Sequence, residues 1–187
     1  VVREVAMRHG LHATFMPKPY SLIAGSGMHT NVSLFTKDGK NAFYDESDPQ
    51  KISKLARYFI AGIMKHAKGF CAITNPTVNS YKRLVPGFEA PCYVAYSESN
   101  RSSLVRIPAA RGLATRIEIR NPDPLANPYL ELAVILAAGL DGIKHELDPG
   151  AAIGSDIFDY DADQVRSTNL EHLPVTLYDA LLELDKD

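Results

Sequence analysis

Proline spacing constrains this chain more than any other feature. Seven of its twelve prolines fall between Asn75 and Pro128. Proline has no N–H to donate and fixes its own φ, so neither a long helix nor a long central strand fits across that stretch. Two short strand patterns survive inside it, residues 104–107 and 115–120. Extended stretches of this length inside a compact domain usually carry function rather than scaffold.

Helices are legible on either side. Asp48-Pro49 reads as an N-cap followed by proline at the first helical position. Ile52, Leu55, Ala56, Phe59, Ile60 and Ile63 then recur at helical spacing, and Gly69 is expected to end the run. Asn127-Pro128 repeats the start signal for a helix reaching about His145. That helix is apolar nearly all round from Tyr129 to Leu140, which predicts burial on several sides. Shorter elements are a helix end over residues 1–9 stopped by Gly10, a strand over 12–15, and a final helix over 175–184. Residues 156–169 read as an acidic loop. After the turn Gly25-Ser26-Gly27, residues 28–35 alternate as a strand, with Thr30, Val32 and Leu34 on one face and His29, Asn31 and Ser33 on the other.

At 187 residues, 45% hydrophobic and 22% charged, the chain has the composition of one folded domain. A formal net charge of −2 gives no support for nucleic-acid or membrane-surface binding. The longest apolar run, residues 132–140, is well short of the roughly 20 needed to span a bilayer. Cys71 and Cys92 lack metal-site spacing and are expected to be reduced thiols of a cytoplasmic protein. No signal peptide is visible, and the start at Val1-Val2-Arg3 without an initiator methionine suggests a piece of something longer. Charge is unevenly spread: residues 69–128 hold seven basic and four acidic side chains, leaving 13 basic and 18 acidic elsewhere. Six of the seven central cations are arginine, which suits two-pronged contact with carboxylate or phosphate.

Residues 115–120 are the most informative. Alternation puts Arg116, Glu118 and Arg120 on one face. They form either a salt-bridge ladder or a metal carboxylate flanked by arginines aimed at phosphoryl oxygens, and both readings are open from spacing alone. His29 is the candidate second ligand. The glycine turn before it lacks the Gly-Lys-Ser/Thr ending of a Walker phosphate loop, and no Gly-x-Ser-x-Gly nucleophile elbow occurs.

Further motifs carry a family resemblance. They are Phe15-Met16-Pro17-Lys18-Pro19, Gly25-Ser26-Gly27-Met28-His29, the block NPTVNSYKRLVPGFEAP at 75–91, Asn100-Arg101-Ser102, Arg106-Ile107-Pro108, the run RIEIRNPDP at 116–124, and Ala126-Asn127-Pro128-Tyr129. In this order, from about residue 1 to 178, they resemble type I bacterial glutamine synthetase. The resemblance implies an α+β fold: part of a catalytic domain, a curved antiparallel sheet with helices on its outer face. Residues 1–187 would be a single partial domain, without the family's N-terminal small domain and the first part of its catalytic domain.

The family joins ammonium to L-glutamate using ATP, through a γ-glutamyl phosphate, with two Mg2+ or Mn2+ ions per complete site. By motif, His29 and Glu118 look like metal ligands. Gly25 lies in the glutamate loop and Arg83 looks like an α-carboxylate contact. Arg101 and Arg120 would hold the phosphoryl group and γ-carboxylate. Arg106, Arg116, Asn31 and Ser33 match nucleotide positions, and Glu89 matches the carboxylate that takes a proton from ammonium. The resemblance also implies a homo-oligomeric double six-membered ring, and that this piece alone is inactive, since the family's paired glutamates are missing. Alternatives are a non-catalytic interaction or structural relative, or a ligase for another amine; Arg83 and Glu89 weigh against both. Three departures stand out: Ala24 replaces asparagine, Asn31 replaces a histidine of some members, and Phe158 lies where some carry an adenylylated tyrosine, with Tyr160 close by.

Overall fold

A computed structural model of the chain describes residues 1–98, 100–154, 157, 160 and 170–187. Four short strands, β1 (Thr30–Val32), β2 (Tyr93–Ser97), β3 (Ser103–Arg106) and β4 (Ile117–Ile119), form one sheet in the order β1-β4-β3-β2. The β1–β4 and β4–β3 pairs are antiparallel, whereas β2–β3 is parallel. The fold is α+β, as expected, but the sheet is mixed rather than antiparallel throughout. Five described helices accompany it: α1 (Val2–Arg8), α2 (Lys54–Thr74), α3 (Val78–Arg83), α4 (Pro128–Lys144) and α5 (Leu177–Leu184).

The helix α2 is the spine of the core. Ala56, Phe59, Ile60, Ile63, Ala67, Phe70 and Cys71 are buried at helical spacing and join Leu104, Val105, Ile117 and Ile119 of the sheet in one cluster. Phe43 meets Phe59 edge-on, with ring centroids 5.4 Å apart. The helix begins later than Asp48-Pro49 predicts. Asp48 instead closes a turn, accepting from Gln50 N–H on Oδ1 at 2.9 Å and from Lys51 N–H on its carbonyl at 2.8 Å, with Lys51 at φ 58°. That left-handed residue stops helix growth from Pro49. Ser53 is the true cap: its Oγ accepts from Ala56 N–H at 3.1 Å and donates to the Ala42 carbonyl at 2.6 Å. Nor does Gly69 end the helix; buried among packed neighbours, it is carried through to Thr74.

Against α2 lies α4, and the crossing is close because glycines face each other. A Cβ on Gly62 would sit 2.1 Å from the Ala138 carbonyl oxygen, and one on Gly142 would sit 2.1 Å from that of Tyr58. The expectation that α4 is buried on several sides fails. Only Glu131, Ile135, Ala138, Gly139 and Gly142 are buried, while Leu132, Leu136 and Leu140 are 53%, 45% and 46% exposed away from that face. Uniform apolarity cannot say which face meets the core.

Other boundaries shift as well. The strand expected over 28–35 is ordered as a ladder only at Thr30–Val32, with an isolated bridge from Phe35 to Asn41, and no strand forms over 12–15. The helix α3, with a Thr77–Ser80 capping box, and the strand β2 were not predicted. Cys71 and Cys92 are buried free thiols, each pushed up to about 12 by burial. Phe158 and most of residues 156–169 lie outside the described residues.

Candidate active site

Strand register builds the site. Asn31 pairs with Glu118, Glu118 with Arg106, and Arg106 with Ser97, so one polar row crosses all four strands. At its centre Glu118 is only 5% exposed. Arg106 Nε donates to Glu118 Oε2 at 2.5 Å, Arg120 Nη1 lies 3.5 Å from Oε1, and His29 Nδ1 lies 3.0 Å from Oε1. One carboxylate thus holds two guanidiniums and an imidazole. Burial, helped by the Arg120 charge, lowers the His29 pKa despite the opposing pull of Glu118, which favours the neutral, lone-pair-bearing imidazole.

Arg120 is almost wholly buried, which lowers its own pKa, and its Nε has no hydrogen-bond partner among the described residues. Its Nη2 donates to the Glu89 carbonyl at 3.2 Å, and Arg101 Nη1 lies 3.5 Å from the exposed Glu89 carboxylate. Glu89 is therefore tied to the cluster by main chain and side chain together. Its φ of 57° is a left-handed conformation, costly for a residue with a Cβ and a sign that its placement matters.

Arg83, at the end of α3, is 4% exposed and donates only to main chain in the described bonds: Asn121 O at 2.7 Å, Pro122 O at 3.2 Å and Arg120 O at 3.0 Å. Burial pulls its pKa down to about 10. The turn Gly25-Ser26-Gly27 is wedged beside it. A Cβ on Gly27 would lie 2.4 Å from Arg83 Nη2 and 3.1 Å from His29 Nε2, and one on Gly25 would lie 2.3 Å from Pro17 O and 3.3 Å from Arg83 Cγ. Only glycine brings the backbone this close to both the Arg83 guanidinium and the His29 ring.

Of the residues singled out from sequence, His29, Glu118, Arg106, Arg120, Glu89 and Arg101 come together in one bonded cluster. Gly25 and Arg83 join it through Gly27 and the Arg120 carbonyl. Arg116 Nε donates to Asn31 Oδ1 at 3.0 Å, placing that pair at the open edge beside β1. Ser33 is exposed just past β1 and joins none of these bonds. Three contributors were missed: the direct Arg106–Glu118 bond, which only register could reveal, the close fit of Gly27, and buried Lys18, whose signal was the pair of prolines flanking it.

Two donors 3.0 Å apart match one edge of an octahedron with bonds of about 2.1 Å, so His29 and Glu118 fit two positions around a small hard cation. They do not complete one: among the described residues no group of three or more His, Cys, Asp or Glu side chains could hold a metal.

The site is thus a carboxylate–histidine pair ringed by arginines on the mixed sheet of an α+β domain. The family model for the glutamine synthetase catalytic domain matches residues 1–187, and the chain belongs to that family. It is 58% identical to glutamine synthetase of Clostridium saccharobutylicum over 181 residues, covering 97% of this chain and 41% of that protein. It is 55% identical to glutamine synthetase of Thermotoga maritima over 187 residues, covering 100% of the chain and 42% of that protein. Among solved structures, GmaS without ligand superposes with a TM-score of 0.87 at 45% identity, covering 100% of this chain and 41% of GmaS. A GmaS complex with ADP gives 0.86 at 42% identity, covering 100% and 43%. The chain spans about two-fifths of the length of the relatives it matches.

Proposed function

We propose that these residues belong to a glutamine synthetase: an enzyme that ligates ammonia to L-glutamate with ATP, through a γ-glutamyl phosphate. The observation that carries this reading is Glu118, nearly buried and engaged by His29, Arg106 and Arg120 at once. A carboxylate is a poor electrophile and must be activated before an amine can attack it. In the first step a γ-carboxylate oxygen attacks the terminal phosphorus of ATP and ADP leaves. Arg101 and Arg120 bind the transferring phosphoryl group and the γ-carboxylate, Arg83 and the Gly25 loop hold the α-carboxylate end, and Arg106, Arg116, Asn31 and Ser33 face the nucleotide. Mg2+ or Mn2+, held by His29 and Glu118 with further donors from outside these residues and expected at two per complete site, would neutralise phosphate charge.

In the second step ammonium gives a proton to the Glu89 carboxylate, ammonia attacks the acyl carbon, and phosphate leaves. The loop carrying Glu89, bonded to Arg101 and Arg120, shields the acyl phosphate from water. The protein would act in the cytoplasm as a homo-oligomeric double ring, with neighbouring subunits completing each site.

The test is glutamine formation with Mg-ATP, glutamate and ammonium by the full-length gene product, beside the isolated 187-residue chain. Turnover is expected only from the full-length protein. Glutamate-dependent phosphate release that requires a primary amine in place of ammonium would overturn the acceptor but keep the acyl phosphate. No glutamate-dependent release at all would overturn the reading.

A further inference from the structure

Lys18 is a buried cation with no carboxylate among its described contacts. It is 4% exposed. Its Nζ donates to the Ile23 carbonyl at 2.6 Å and lies 3.4 Å from the centroid of the Phe88 ring. Burial lowers its pKa, as a desolvated ammonium without a counter-charge requires. Burying such a charge is costly unless its contacts compensate it.

Its contacts join two loops. On one side stands the 17–25 segment, closed by the Ser26 N–H donating to Pro17 O at 2.8 Å. On the other stands Phe88, next in sequence to Glu89. The Lys18 backbone is immobilised from both directions: its N–H donates to Asn79 Oδ1 at 2.8 Å and its carbonyl accepts from Asn79 Nδ2 at 2.9 Å. Pro17 and Pro19 restrict the chain on either flank. The side-chain stem passes under the glycine turn, where a Cβ on Gly25 would come within 3.3 Å of Lys18 Cδ.

We infer that Lys18 is a positioning residue for Glu89: its ammonium pins the Phe88 ring against the Ile23 carbonyl and so fixes the 86–89 loop over the Gly25 loop. An ammonium over an aromatic face in a site removed from water is a strong member of its class. Because Glu89 already bears a left-handed φ, holding its neighbour Phe88 in place is what keeps that conformation populated. This inference rests on the proposed role of Glu89 for its catalytic consequence, but the loop contact itself is independent of that role.

The test uses the full-length protein with Lys18→Met, Lys18→Arg, Phe88→Leu and the double variant Lys18→Met/Phe88→Leu. Hydrogen exchange in a peptide covering residues 86–90 reads the loop whether or not the protein makes glutamine. Exchange there is expected to rise about tenfold in Lys18→Met and Phe88→Leu, to rise no further in the double variant, and to return toward wild type in Lys18→Arg, which keeps a cation over the ring. In the enzyme assay the KM for ammonium and the phosphate released per glutamine should rise by a similar factor, with the KM for ATP unchanged. Unchanged exchange, or additive effects in the double variant, would overturn the inference. Raised exchange in a protein that shows no glutamine synthesis would sink the enzymatic reading and leave the loop contact standing. If Lys18→Met fails to fold, Phe88→Leu against Lys18→Arg decides the matter alone.

Discussion

Glu118 is where charge balance and chemistry meet. Removing its carboxylate strands Arg106 and the nearly buried Arg120 without their shared counter-ion. Glu118→Ala should therefore destabilise the fold by about 3–5 kcal/mol, as breaking buried pairs does. It should also lower kcat/KM by at least about 100-fold; differential scanning calorimetry and a coupled phosphate assay on the full-length protein read the two losses. Glu131 offers a second, separate check. It is 1% exposed, its Oε1 accepts from the Thr30 hydroxyl, and its Oε2 has no partner among the described residues. Burial raises its pKa. A folded pKa above the unfolded value of about 4.3 means stability is complete below that value and is lost as pH rises through the folded pKa. Glu131→Gln should thus unfold at a higher temperature than wild type near pH 7, with the gap closing toward pH 4. The alternation in residues 115–120 made the shared face of Arg116, Glu118 and Arg120 readable. The partners from other strands were not, because register is a long-range fact that no local spacing encodes.

Among the elements, the two long helices were legible in existence and type, from six apolar positions at helical spacing in one and an Asn-Pro start in the other. Boundaries were not, since Asp48-Pro49 and Ser53 offer competing caps and only tertiary contact chooses Ser53 through the Ala42 carbonyl. Ser53→Ala should cost about 1 kcal/mol in thermal or denaturant unfolding. The α2–α4 crossing was invisible for a different reason: nothing local distinguishes a glycine that admits a neighbouring backbone from one that merely loosens a helix. Since a Cβ on Gly62 would meet backbone rather than a movable side chain, Gly62→Ala should destabilise by about 1–3 kcal/mol or more, although alanine is the better helix former. A stabilised Gly62→Ala protein in urea unfolding would show that the helices can part at little cost.

Taken whole, the molecule buries one face of α4 and leaves Leu132, Leu136 and Leu140 in a row on the other. An apolar row of that kind on the isolated 187-residue chain should drive self-association, and Leu132→Lys with Leu136→Lys should shift sedimentation toward monomer. The bond pattern of Arg83 has a wider consequence. Its guanidinium grips the carbonyls of residues 120–122, and a carbonyl is the same whatever side chain its residue bears. The grip is blind to spelling on one side and strict on the other. In a saturation library, position 122 should tolerate many residues that keep the local turn, while position 83 should accept none. Lysine, with a single nitrogen, cannot reach three acceptors in the fork geometry that arginine provides. Sequence drift at position 122 would then leave the pocket wall standing, so long as that one arginine stays.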